Sequence, residues 1–310
     1  MRVTQSMLSN NMLRNLTSSY NKMGKLQEQI NTGKKVTRPS DDPIVVMRGL
    51  GYGMDVNKVD QFQKNLTQVN NWLDSSDDAL DGVGSAIHRA TDLVRNASNS
   101  GAMTSEDRNK IKIEIEQIRE QIQDLANTKV GDKYIFNGTL TDKPLHDKDS
   151  GYPDLSTDVD ENGVSLGNPK SASEKDIEIE VFDGVSLRVN TNAAKTFKEL
   201  DTILKDLSKK VGSGEYDDST DFDGAISKLD KAFDSVLTLR ADAGARSNRS
   251  ELMHNRLEMQ EGAAKKQRSL NEDVDYEKTI TEMITQESIH RAALSVGARI
   301  IQPSLVDFLR

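Results

Sequence analysis

The chain has no cysteine at all, which excludes disulfides, thiolate metal sites and cysteine nucleophiles together. Aromatic residues are scarce, 5% with a single tryptophan, and apolar residues reach only 35% against 29% charged. So lean a mix, in 310 residues, predicts long amphipathic helices rather than a thick globular interior. Long hydrophobic runs are missing too, and Met1-Arg2-Val3-Thr4-Gln5 leads into no apolar core with a small-residue cleavage site. The expectation is no membrane insertion and no cleaved signal peptide, for a protein that is cytoplasmic or exported by a route that reads none. Basic excess is also absent, since 41 Lys and Arg against 50 Asp and Glu leave a net charge of −9. That balance argues against nucleic acid or an anionic membrane as partner.

Motifs that carry chemistry are equally sparse. Gly49, Gly51 and Gly53 have the wrong spacing for a dinucleotide fingerprint, and no strand pattern precedes them. They read as packing glycines at a bend or tight helix contact. His88, His146, His254 and His290 have no His or Cys at ligand spacing. Asp158, Asp160, Asn162 and Gly163 fit the first half of a calcium loop, but its twelfth position is Pro169 where a bidentate Glu is needed. A solvated acidic turn is the reading. With neither a nucleophile elbow nor a phosphate loop, the expectation is a chain without cofactor, metal or catalytic site, and not an enzyme.

What is present is helical periodicity. Leu13, Leu16, Tyr20, Met23 and Ile30 recur at helical spacing from Thr4 to Thr32, Gly33 ends that helix, and Pro39 keeps Arg38 out of the helical region. Asp42 and Pro43 suit the cap and first position of a second helix. From Val59 through Phe62, Leu66, Val69, Leu73, Leu80, Val83 and Ile87 to Val94 runs one long seam. After a break at Asn99-Ser100-Gly101, Thr104 with Asp107 starts a helix whose seam is Ile111, Ile115, Ile118, Ile122 and Leu125. Tyr134 to Gly138 reads as a short strand and turn. Ile177, Ile179 and Val181, then Asp183-Gly184, then Val185, Leu187 and Val189 predict a hairpin. Helical spacing resumes with Leu200, Leu204 and Leu207, and again with Ile226, Leu229, Phe233, Val236, Leu252 and Leu257. Past a polar interruption at residues 271–275, the last helix carries Ile280, Ile284, Leu294, Ala298, Ile301, Leu305 and Phe308, with Glu287 and Arg291 intruding.

The predicted fold is mainly α: a long antiparallel helical bundle or coiled coil formed by both chain ends, with a small β-containing domain inserted in the middle. Five segments follow: 1–42 and 271–310 form an inner coiled coil, 43–138 and 197–270 a helical body, and 139–196 an outer β insert. Terminal seams of this size demand cover, because an exposed Leu or Ile forgoes roughly 1.5–3 kcal/mol. The other terminus of the same chain and a ring of neighbouring subunits would each supply it, and periodicity leaves both open.

Particular residues carry a resemblance. Gln29 to Pro43, with Arg38-Pro39-Ser40-Asp41-Asp42-Pro43 at its end, resembles the N-terminal motif of the bacterial flagellin superfamily, in the form typical of its hook-associated, hook-filament junction branch. Tyr134-Ile135-Phe136-Asn137-Gly138 with Lys143-Pro144-Leu145 is similar to a second junction-protein element. Arg240 to Arg249 resembles the superfamily's C-terminal Arg-Ala-x-x-Gly-Ala motif, and Asp273-Val274-Asp275-Tyr276 its entry into the last helix.

The resemblance implies a structural subunit that joins hook to filament and leaves through the flagellar type III export apparatus. Its implied partners are itself in a helical ring, the other junction protein, flagellin, and an export chaperone on the C-terminal helix. The implied assembly seam is Leu13, Leu16, Tyr20, Met23, Ile30, Ile280, Ile284, Leu294, Ile301, Leu305 and Phe308. The alternatives are a flagellin filament subunit and a soluble cytoplasmic coiled-coil regulator.

Overall fold

The computed structural model describes residues 5–98, 104–153, 172–212 and 222–301. The acidic turn at 158–163, the break at 99–101 and the seam residues Leu305 and Phe308 lie outside them. The described chain is mainly helical. In order come α1 (Gln5–Thr32), α2 (Pro43–Ser98), α3 (Ser105–Ala126), β1 (Lys129–Val130), β2 (Lys133–Tyr134), β3 (Glu178–Phe182), β4 (Val185–Arg188), α4 (Ala194–Gly212), α5 (Phe222–Glu272) and α6 (Tyr276–Ile301). Two compact units divide it: Met1–Lys58 with Met259–Arg310, and Val59–Glu258.

The larger unit holds the core. Leu66, Val69, Leu73, Leu80, Val83, Ile87 and Val94 of α2 are all buried, with Ile111, Ile115, Ile118 and Ile122 of α3 and Leu200, Leu204 and Leu207 of α4. The three-four spacing of the sequence is thus the packing face of these helices. Thr104 caps α3 as the spacing predicted, its hydroxyl accepting from the Asp107 amide at 3.3 Å. Arg119 adds a bidentate link between α3 and α4, donating to Asp201 at 2.7 and 3.1 Å.

The hairpin forms where alternation placed it. β3 and β4 pair antiparallel with Ile179 opposite Leu187 and a bulge between Glu180 and Phe182. Val181, Leu187 and Val189 are buried in the same core as the helices. Tyr134 to Gly138 differs from the expectation, because only Lys133–Tyr134 is strand, paired with Lys129–Val130. Ile135 and Phe136 are both fully buried, which an alternating strand with one face in solvent cannot achieve. They instead fill the core end, where the Phe136 ring meets Phe197 edge-on at 5.2 Å.

Gly138 turns that segment at φ +52, and a Cβ there would stand 2.4 Å from the Ala172 carbonyl oxygen. Gly138→Ala is expected to cost about 2–3 kcal/mol, from left-handed strain plus the clash, read as a lower midpoint in urea unfolding.

Candidate assembly surface

The smaller unit is organised by the motif around Arg38. Gly33, at φ +70, accepts from the Val274 amide at 2.9 Å, and the Lys35 amide donates to the Glu272 carbonyl at 2.7 Å. The end of α1 is thereby tied to the junction of α5 and α6. Lys25 pairs with Asp41 at 3.1 Å, Arg38 with Glu28 at 3.8 Å, and Lys34 with Glu272 at 3.3 Å. Such exposed pairs contribute little singly; their effect is to orient the turn. Asp42 caps α2, its Oδ1 accepting from the Ile44 and Val45 amides at 3.0 and 3.1 Å. Asn271 then donates to the Val45 carbonyl at 2.9 Å, and a Cβ at Gly49 would meet the Glu272 carboxylate at 2.4 Å. Gly49 is a packing glycine, as expected. Gly51 and Gly53 are not, because a Cβ on either would meet nothing within 4 Å and α2 runs unbroken through them.

α1 and α6 pack against each other in antiparallel register. Met12 lies in the space left by the absent side chain of Gly297, Tyr20 meets His290 with ring centroids 6.2 Å apart, and the Tyr276 hydroxyl lies over Gly33. α1 turns Leu16, Ser19, Met23 and Ile30 inward, each buried or half-buried. On α6 the inward side is Thr279, Met283, Gln286, His290, Ala293 and Gly297. These are mainly small or polar, and Ser19 Oγ and His290 Nδ1 are buried without a hydrogen-bond partner among the described residues.

The expected seam therefore splits. Leu16, Met23 and Ile30 serve the contact within the chain, whereas Leu13, Tyr20, Ile280, Ile284 and Leu294 stay between 42% and 63% exposed. On α6 the apolar residues follow the inward ones by one position at 279–280 and 283–284, so the apolar face is turned by about 100° from the partner helix. A groove lined by Lys22, Lys25, Leu26, Gln29, Thr281, Glu282, Thr285 and Gln286 marks one side of the pair. Leu13 and Tyr20 leave α1 on the opposite side, which they share with Ile280, Ile284 and Leu294. Exposed apolar residues occur on both sides of the pair, because Ile289 and Val296, 50% and 55% exposed, follow the groove side of α6 at helical spacing. Ile301 closes α6.

Exposed apolar residues concentrate in this unit. Among the described residues, every large exposed one except Ile113, Leu237 and Leu252 belongs to it. Leu252, expected on the α5 seam, instead faces solvent. Ile44, Met47, Leu50 and Met54, outside the expected seams, form a further exposed line on α2. Their three-and-four steps were the available signal, masked by the three glycines between them.

Polar chemistry elsewhere is structural in arrangement. His146 is held through its backbone, its amide donating to Asn127 Oδ1 at 2.9 Å and its carbonyl accepting from Asn127 Nδ2 at 2.8 Å. Burial pushes its imidazole pKa down and that of the neighbouring Tyr152 phenol up. The Asp201 carboxylate bonded to Arg119 raises that guanidinium in turn. No described helix is long and apolar enough to cross a membrane.

A helical frame whose two ends meet and leave an apolar flank bare defines a structural protein of the kind that packs with other chains. Two family matches agree: the bacterial flagellin N-terminal helical region over residues 3–141 and the bacterial flagellin C-terminal helical region over residues 226–309. Flagellar hook-associated protein 3 of Escherichia coli K12 is 28% identical over 305 residues, 94% of this chain and 93% of that protein. Its counterpart in Salmonella typhimurium LT2 is 25% identical over 309 residues, 94% of this chain and 95% of that one. A solved flagellar hook-associated protein from Vibrio parahaemolyticus shares the fold with a TM-score of 0.62 at 22% identity, covering 75% of this chain and 99% of its own. The chain belongs to the bacterial flagellin superfamily.

Proposed function

We propose that this chain is the structural subunit joining hook to filament in the bacterial flagellum, the role of a hook-associated protein 3, and that it assembles through the apolar flank of its terminal helices. The observation that carries this is the bare flank of Leu13, Tyr20, Ile280, Ile284 and Leu294. Pairing within the chain was one of two ways to cover those residues, and they stay exposed although α1 and α6 are paired. Five side chains at about half exposure leave roughly 4–8 kcal/mol of burial to be gained from neighbours. Folding of the ends and assembly are coupled on this reading, with the intramolecular pair completed by adjacent subunits.

Neighbours of three kinds are proposed: further copies in a ring, the other hook-filament junction protein, and flagellin. Before that, a flagellar export chaperone covers the C-terminal helix, and the chain leaves without a cleaved signal to an extracellular place at the junction. In this arrangement 1–42 and 271–310 form the inner coiled coil, 43–138 and 197–270 the body, and 139–196 the outer insert. No catalysis is assigned to the chain.

A strain lacking the protein is expected to build hooks and to shed unpolymerised flagellin into the medium. Filaments that stay attached in that strain would refute the junction role. A flagellin proper would polymerise alone, so long filaments formed by the purified chain would favour that reading instead.

A further inference from the structure

Asp183 and Gly184 form the tip of the β3–β4 hairpin, and both are exposed. Gly184 is at φ +67, and a Cβ there would meet nothing within 4 Å, so no side chain crowds its backbone. Its amide donates to the carboxylate of Glu180, with Oε1 at 3.2 Å. That carboxylate is directed to the tip by its neighbours. The Glu180 carbonyl accepts from Asn65 Nδ2 at 2.7 Å, and Glu178 is engaged by the Ser186 hydroxyl at 2.5 Å. The Phe182 ring stacks with Phe62 at 6.2 Å and lies under the Arg256 guanidinium at 4.0 Å. The strand entering the tip is thus fixed on both sides of Glu180.

We propose that Asp183 is a site of spontaneous isoaspartyl modification, with Glu180 as the base that assists it. The reaction is intramolecular, takes only water and stands apart from the assembly reading. The Gly184 nitrogen forms a bond to Cγ of a protonated Asp183 carboxyl while its own proton passes to the Glu180 carboxylate. The Cγ–OH bond then breaks, and the hydroxyl leaves as water with the proton that Glu180 returns. A five-membered cyclic imide results. Water adding at Cγ breaks the new N–Cγ bond and restores aspartate. Water adding at the main-chain carbonyl carbon of Asp183 breaks the original peptide bond instead, leaving a chain that runs through Cβ and Cγ with the α-carboxylate free. No atom is gained or lost overall, and the backbone is longer by one methylene.

Sequence alone does not single out this pair, because Asp81-Gly82 and Asp223-Gly224 are the same dipeptide. Geometry does. Asp81 and Gly82 are interior to α2, where the Asp81 carboxylate accepts from Arg240 at 2.6 Å and the Gly82 amide is a helical donor. Its acceptor there is a main-chain carbonyl, which cannot take a proton, and ring closure would break the helix. Asp223 and Gly224 lie in the first turn of α5. Only at the hairpin tip is the amide that must lose its proton donated to a carboxylate in an exposed turn. The product changes the hairpin locally. Phe182 pairs with Val185 across the tip, and an added methylene lengthens a connection that fits when it has two residues. The end of the hairpin opens, while Val181 and Leu187 stay in the core.

The test is ageing of the full folded chain at neutral pH, with fresh chain as the baseline. Trypsin releases residues 176–188 as one peptide that carries this Asp-Gly pair and no other, and electron-transfer fragmentation locates isoaspartate by ions that aspartate does not give. Isoaspartate is expected to accumulate at Asp183 about tenfold faster than at Asp81, and Glu180→Gln to slow it by about the same factor. Glutamine keeps an acceptor for the Gly184 amide but cannot take its proton. Glu180 is exposed, so the fold is expected to survive the change, which an unaltered thermal melt checks. In denaturing urea Asp183 and Asp81 should react alike, with no effect of the substitution. Accumulation at Asp183 no faster than at Asp81, or undiminished in folded Glu180→Gln, would overturn the proposal. So would a preference for Asp183 that persists in urea, since the dipeptide's sequence context and not the hairpin would then be its cause.

Discussion

Aspartate at both Ile284 and Leu294 is expected to abolish incorporation of the chain into flagella while leaving the isolated protein folded. The two side chains are 56% and 50% exposed, so each change costs the free chain only about 1 kcal/mol or less, through helix propensity and partial burial. In an assembled interface the same changes remove two buried anchors and introduce two desolvated carboxylates. That costs several kcal/mol, about a thousandfold or more in affinity. Thermal melting of the purified variant reads the first effect, and the amount of chain recovered with isolated flagella the second. Hydrogen exchange separates the two further, because α1 and α6 are expected to exchange fast in the free chain and slowly in assembled wild type. Variant chain recovered with flagella at wild-type levels would remove the apolar flank from the mechanism.

The contrast between the two units follows the way apolar residues are distributed along the helices. In α2 beyond Val59 and in α3 the seam is broad and isolated from other apolar positions, so period and burial coincide: Leu66, Val69, Leu73 and Leu80 are each at most 2% exposed. The caps at Asp42 and Thr104 and the turn at Asp183-Gly184 were legible because each depends on neighbours a few residues away. The rotation of α6 was not. Ile280, Ile284 and Leu294 define an apolar face, yet the close approach to α1 is set by Gly297 admitting Met12, a contact 285 positions apart in a sequence of 310 residues. Periodicity shows that a face exists and is silent on which helix it meets. The α2 line was obscured for a related reason. Gly49, Gly51 and Gly53 interrupt the apolar spacing there, and close packing holds only at Gly49.

The C-terminal motif has a physical role that its wording as a family signature does not convey, and its largest consequence falls on Arg246. Arg240 reaches across to α2, donating to Asp77 at 2.8 Å and Asp81 at 2.6 Å, and both carboxylates raise its pKa. Asp242 receives Arg188 from the hairpin and Arg246 from its own helix. Arg246 itself is buried, donates to the Asn190 carbonyl at 2.8 Å and contacts Thr191 Oγ1 at 3.4 Å. Burial pushes its pKa down, but the fork of donors meets acceptors placed for it. Arg246 is therefore the pin that fastens the end of β4 to α5. Arg246→Ala is expected to destabilise the larger unit by about 2–4 kcal/mol, through a cavity and a buried carbonyl at Asn190 left without its donor. Arg246→Lys keeps the charge and should restore less than half of that loss, since an ammonium cannot reach Asn190 and Asp242 in the same planar geometry. Urea unfolding of the three proteins gives the ordering directly: equal midpoints for wild type and Arg246→Lys would show that charge alone, and not the fork, holds the hairpin in place.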